Sequence, residues 1–298
     1  MARPYILYGW HLSYFTGKAM CYLRYKQTLF VQKPVDMLTL LWRIKNKTGA
    51  AVMPVLVTPQ GKWINDTSRI IDHIETQATG PSVHPATPVQ RFASYLMEAW
   101  GDEWWVPMAM HTRWTYPENF TLFEREAGDA LLPWWPGFAK KRAVKVVAQK
   151  LRGMLPAVGV RPSQLGVMDA WMAHMLDVLD RHFAAHRFLF GDRPMLGDFG
   201  LVGAMYGHLG RDPWPARELV GPRPHLRALD RRLRTSIARG PQALPAARRD
   251  PDGGTHLPPP RWRERRHQGA VPGGRGELER AQRRRFPRRP FWPARVHA

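Results

Sequence analysis

The sequence predicts an α/β first domain, an all-helical second domain and a disordered basic tail. Three observations carry that prediction. Strand-sized apolar runs and helical spacings alternate through the first 80 residues. After residue 88 the strand signals stop and long helical patterns take over. Near residue 232 the composition shifts abruptly to Arg, Pro and Gly.

The first domain is read in order. Residues 5–9 form a short strand, and residues 10–17 a loop rich in hydroxyl and aromatic groups. Residues 18–28 have helical spacing, with Ala19, Tyr22 and Leu23 on one face. Residues 29–32 give a second strand, and residues 36–47 a second helix that stops at Gly49. Val55, Leu56 and Val57 read as a buried strand, entered at Pro54, one of the few places a strand tolerates proline. Gln60-Gly61 turns the chain, and residues 62–65 return, so the pair is a β-hairpin. Asp66, Thr67 and Ser68 then precede Arg69 to Ile74, which has helical spacing. A hydroxyl therefore sits at a helix start, where free N–H groups favour an anion. The order β-α-β-α-β-β-α, ending near Thr79-Gly80-Pro81, is that of a thioredoxin-like domain.

Residues 81–88 read as a linker. Residues 89–115 read as one long helix carrying Trp100, Trp104, Trp105 and Trp114. Pro133-Trp-Trp-Pro136 breaks the pattern, and residues 138–154 form a basic amphipathic helix. Over residues 165–183, Met168, Met172, Met175, Leu176, Leu179 and Phe183 fall on one stripe, which points to core packing rather than a cofactor box.

A length of 298 residues suits two domains, and 44% hydrophobic residues suit a sizeable core. The single cysteine, Cys21, excludes an internal disulfide framework and fits a reducing compartment. The N-terminus lacks a signal-peptide pattern, and no run approaches the apolar length of a membrane span, so a cytoplasmic protein with no membrane partner is expected. A charge of +21 normally suggests nucleic acid. Here about half of it comes from the last 65 residues, which hold 16 Arg, no Lys and five acids. The expected organisation is therefore 1–80, a linker 81–88, a helical domain 89–232 and a tail 233–298. Such a tail cannot offset its ordering entropy by burial. It reads as a nucleic-acid or anionic-surface arm, an inert extension, or an out-of-frame translation of a GC-rich gene. The loss of Lys and of apolar periodicity favours the last.

The hairpin run Met53-Pro-Val-Leu56, followed after the turn by Asp66-Thr-Ser-Arg-Ile-Ile71, resembles the glutathione-binding hairpin of the glutathione transferases. By that resemblance Pro54 is the family's cis-proline and the Met53 backbone pairs with the cysteinyl part of glutathione. The family's Glu-Ser or Gln-Ser dipeptide, which holds the γ-glutamyl carboxylate, falls on Thr67 and Ser68, with Thr67 replacing Glu or Gln. Phe188 to Leu201 resembles the segment that starts a buried helix in the same family. There Asp198 matches the structural aspartate and Met195 stands where Ser or Thr would cap. The resemblance spans about residues 5–230. It implies the two-domain glutathione transferase architecture, glutathione as co-substrate, no metal, a homodimer and a detoxification role.

Glutathione chemistry needs a donor beside a thiol whose pKa is near 8.5. The loop Leu12-Ser-Tyr-Phe-Thr-Gly-Lys18 is similar to the family's Ser-Pro-Phe-x-x-Lys form. Ser13 falls on the catalytic position, Tyr14 replaces the proline and is the second candidate, and Tyr8 is the third. Cys21 reads as a small buried apolar residue. The 12 His show no metal spacing. Asp102-Glu103 reads as a solvated helix face or a polar patch on the glutathione cleft. Trp104, Trp105 and Met108 sit on the helix that in this family lines the pocket for an apolar electrophile; core packing explains the same residues. The function expected is glutathione-dependent conjugation, reduction or isomerisation. The alternatives are a binding or scaffold protein on the same fold, and a nucleic-acid partner acting through the tail.

Overall fold

The computed structural model describes residues 3–78 and 80–235. The tail expected at 233–298 lies outside the described residues from 236 onward.

The first 75 residues form the expected order of elements. Strand β1 (Tyr5–Tyr8) leads to helix α1 (Tyr14–Tyr25), β2 (Phe30–Lys33), a π-helical stretch Thr39–Ile44 and α2 (Lys45–Thr48). Then come β3 (Val55–Val57), β4 (Trp63–Asn65) and α3 (Thr67–Glu75). The sheet order is β2-β1-β3-β4, with β1 and β2 parallel and the other pairs antiparallel. Side chains alternate across the pleat. Leu7, Leu56 and Ile64 join α1 and α3 in one core, while Tyr8, Val35, Ile44, Val55 and Val57 form a second.

The register sets up the functional end of the sheet. Lys33, Tyr8, Val55 and Asn65 lie in one row across all four strands. The loop into α1, the cis Met53–Pro54 bond and the start of α3 therefore all emerge at the same end.

Helix α1 begins at Tyr14, four residues before the reading from sequence. Ser13 is the reason: it holds an extended conformation and its Oγ accepts the Thr16 N–H at 3.3 Å, an N-cap that makes the following residues helical.

The helical half starts with α4 (Pro88–Ala99), a π-helical turn Trp100–Trp104 and α5 (Trp105–Thr115), together spanning the single long helix expected. Helices α6 (Pro117–Leu131), α7 (Gly137–Gly153), α8 (Leu165–Ala185) and α9 (Leu196–Ala204) follow. A turn α10 (Pro213–Pro215) and α11 (Pro224–Thr235) complete the described chain.

Every residue of α9 is buried. Asp198 holds its start by accepting the N–H of Met195 at 2.9 Å and of Leu189 at 2.8 Å. That is the N3 half of a capping box; the Gly197 N–H, which a Ser or Thr at 195 could take, goes to Ser94 Oγ at 3.3 Å. Burial pushes the Asp198 carboxyl up to about 7. Gly200 and Gly101 let α9 approach the π-helical turn backbone to backbone; a Cβ on Gly101 would lie 2.4 Å from the Gly200 carbonyl carbon. The α8 stripe packs as expected, with Met168, Met172, Leu176, Leu179 and Phe183 buried. Leu233 is fully buried on α11, so the boundary expected at 232 falls inside the last helix.

Candidate thiol site at the sheet end

The three hydroxyl candidates part company. Tyr8 is buried within β1 and stacks on Trp63, with ring centroids 5.5 Å apart and planes 10° from parallel. Tyr14 is buried and turned into the helical half, where its hydroxyl donates to the Gly101 carbonyl at 2.5 Å. Burial, with Asp102 and Glu103 nearby, pushes its pKa well up, so it neither ionises nor faces the sheet end. Ser13 is half-buried at the N-cap of α1. Its oxygen accepts from Thr16, and a hydroxyl that accepts there keeps its own hydrogen to donate. Cys21 is fully buried, and burial pushes its thiol up to about 12, as suits a small core residue.

The start of α3 is filled from within. Asp66, at φ 75, is the N-cap, and its Oδ1 accepts the N–H of Ser68 at 2.9 Å and of Arg69 at 3.2 Å. Thr67 is the first helical residue and is buried. Ser68 turns away toward α4, donating its hydroxyl to Glu98 Oε1 at 2.7 Å. The acidic-then-hydroxyl pair at the helix start is thus Asp66-Thr67, one residue before the Thr67-Ser68 pair matched from sequence. The missed signal was Asp66 itself: at an N-cap Asp ranks with Ser.

Glu98 and Asp102 belong to a buried cluster. Lys18, fully buried on α1, donates to Glu98 Oε1 at 2.7 Å and to Asp102 Oδ2 at 2.6 Å. Burial pulls the Lys18 pKa down, but the two carboxylates outweigh it and hold it up. Asp102 is therefore not on a solvated face; burial pushes its carboxyl up to about 6 against the opposing pull of Lys18.

The aromatic pocket expected from sequence is not assembled. Trp105 is fully buried against Trp100 and Trp171, at centroid distances of 5.4 and 5.2 Å. Met108 packs on the same core, while Trp104 is 63% exposed. Trp104 ends the π-helical turn and Trp105 opens α5, so these neighbours leave the helix in different directions. A cleft of about 640 Å³ opens instead beside the β1–α1 loop. Trp10 and His11 wall it on one side, and Gln32, Pro34, Glu126 and Arg211 line the rest. Arg211 is ion-paired with Glu126. Burial, then Arg211, keeps the His11 pKa low. Among the described residues no helix is long and apolar enough to cross a membrane.

Residues 7–82 match the family model "Glutathione S-transferase, N-terminal domain". No curated protein sequence matches the chain. Among solved structures, the beta-etherase LigF from Sphingobium sp. strain SYK-6 is 17% identical, with a TM-score of 0.52 over 78% of this chain and 95% of that one. A Tau class glutathione S-transferase from mango is 16% identical over 78% of this chain and 89% of that one, at TM-score 0.48. A glutathione S-transferase from Methylobacterium radiotolerans in complex with glutathione sulfonate is 18% identical over 81% and 98%, at TM-score 0.47. The chain has the glutathione S-transferase fold and resembles that superfamily, with the sequence match carried by its N-terminal domain.

Proposed function

We propose that this protein binds glutathione and stabilises its thiolate at the start of α1, for attack on an apolar electrophile or a related glutathione-dependent reaction. The observation that carries the reading is Ser13. It is the only one of the three candidate hydroxyls that is neither stacked in the sheet nor bonded into the helical half, and its hydrogen is left to donate. The Ser13 hydroxyl does not remove the thiol proton; with the N–H groups of α1 it stabilises the anion that remains. Met53 and Pro54, just ahead of β3 at the same end of the sheet, hold the cysteinyl backbone. Thr67 offers the hydroxyl at α3 for the γ-glutamyl carboxylate. The second substrate enters the cleft along Trp10 and His11.

The test is the pH dependence of thiol conjugation in the parent, Ser13→Ala and Tyr14→Phe. Loss of one such donor costs on the order of 10²-fold in rate. Ser13→Ala is expected to show that loss with a raised apparent thiol pKa, and Tyr14→Phe neither. An equal loss in both variants, or none in either, sinks the assignment.

A second reading, binding without turnover, has its own support. Asp66 and Glu98 already satisfy the N–H groups and the Ser68 hydroxyl that an incoming carboxylate would use. Retention on glutathione resin with no conjugation activity would select it.

We also propose a homodimer through α4, where Val89, Phe92 and Leu96 are 79%, 70% and 58% exposed on one face. A monomer by sedimentation velocity would remove it.

A further inference from the structure

Between α6 and α7 the chain presents a surface that the thiol site does not use. Trp134 is 94% exposed and Trp135 59%, held between Pro133 and Pro136. Phe138, at 78%, opens α7. Lys141, Arg142 and Lys145 follow it at three, four and seven residues, so all four side chains share one helical face. All three cations are exposed, and among the described residues none of them forms an ion pair. Val146, at 64%, flanks the stripe. The opposite face is committed: Val144 and Ala148 are buried with α6, and Lys140 bonds Asp129 at 2.8 Å. Helix α7 carries no acid.

We propose that this surface docks on an anionic lipid bilayer, with Trp134, Trp135 and Phe138 at headgroup depth and the α7 cations on the phosphates. Charge decides the occupant. A second copy meeting this face across a two-fold axis would set its cations against themselves. A single-stranded nucleic acid wants aromatic platforms inside a basic groove, whereas these rings stand at a loop tip and Val146 has no base to stack on. At a bilayer interface indoles settle between water and acyl chains while Lys and Arg reach outward, which suits both halves of this surface. That no helix among the described residues is long and apolar enough to span a membrane does not bear on such peripheral contact.

The test uses the full chain with phosphatidylcholine vesicles, alone and mixed with phosphatidylglycerol. Residues 236–298 are Arg-rich and can attract anionic vesicles by charge alone, so insertion has to be read separately. Quenching of tryptophan fluorescence by brominated lipid provides that reading. The parent should bind the mixed vesicles and be quenched. The double variant Trp134→Phe, Trp135→Phe should lose most of that quenching. The triple variant Lys141→Glu, Arg142→Glu, Lys145→Glu should bind on the order of a hundredfold more weakly, at roughly fivefold per cation. These positions are exposed, so unchanged circular dichroism is expected and serves as the folding control. Equal quenching in the parent and the tryptophan variant overturns the proposal. So does vesicle binding indifferent to the α7 charges, or a single-stranded oligonucleotide that binds through the same residues and displaces the vesicles.

Discussion

Helices α1 and α3 start at the same end of one sheet, and each start leaves backbone N–H groups that need an acceptor. The chain answers that need differently. At α1 the cap is the Ser13 hydroxyl, an acceptor that still has a hydrogen to give. At α3 the cap is the Asp66 carboxylate, which takes two N–H groups and offers nothing back. At α1 the capping group keeps a hydrogen; at α3 the first N–H groups are taken by the protein itself, which leaves the Thr67 hydroxyl as the group the proposed ligand would meet. Glu98 ties the two together, because Lys18 of α1 and Ser68 of α3 both donate to its Oε1.

The largest effect expected on this pairing is from Lys18→Met. Removing the cation that bonds both leaves Glu98 and Asp102 without an ion-pair partner among the described residues. Breaking a buried pair in this way costs about 3–5 kcal/mol. Urea unfolding reads it directly. A loss under about 1 kcal/mol, the scale of an exposed pair, would mean that water already reaches the cluster and that the two helix starts are not rigidly coupled.

The next effect separates the two hydroxyls at α3. Thr67→Val should weaken glutathione binding by about 1.5–3 kcal/mol, the range for a hydrogen bond to a charged group. Ser68→Ala should leave affinity nearly unchanged, since its hydroxyl is spent on Glu98. Calorimetry on both variants decides. The reverse ranking would restore the match at Ser68 and mean that ligand binding pulls Ser68 off Glu98.

What the sequence disclosed follows from the range of the interactions involved. The strand Val55 to Val57, entered at Pro54, and the α8 stripe are local patterns of period and propensity, and they stand where expected. The α1 start was misjudged by four residues because Thr16 and Gly17 are poor helix formers; the Ser13 cap overrides their propensity. In sequence Tyr14 stands second to Ser13 as a candidate hydroxyl. What removes it from the site is a bond to Gly101, 87 residues away. In sequence Trp105 reads equally as pocket wall, by the family resemblance, or as core; its packing on Trp171, far along the chain, makes it core. Only half of the Lys18 cluster is legible in sequence: Lys18 stands in the loop pattern, while Asp102 reads as a solvated helix face or a polar patch on the cleft. Their meeting across 84 residues is a tertiary fact.

The smallest expected effect tests whether that cluster is a net gain. Burial is the largest influence on Asp102 and lifts its carboxyl from 3.8 to about 6, with Lys18 opposing. A folded-state pKa above the unfolded one means that the folded protein holds the proton more tightly. The stabilisation from this group is then fully present below about pH 4 and is lost as pH rises through about 6. Asp198, lifted by burial to about 7, acts in the same direction and remains as a common background. The urea midpoint of the parent should therefore fall between pH 4 and 6 more steeply than that of Asp102→Asn, which cannot titrate there. Parallel slopes would place the Asp102 carboxyl in its ordinary range. A parent slope that rises relative to the variant would mean that the attraction of Lys18 exceeds the cost of burial, and the charges joining the two helix starts would then be a source of stability at neutral pH rather than a load on it.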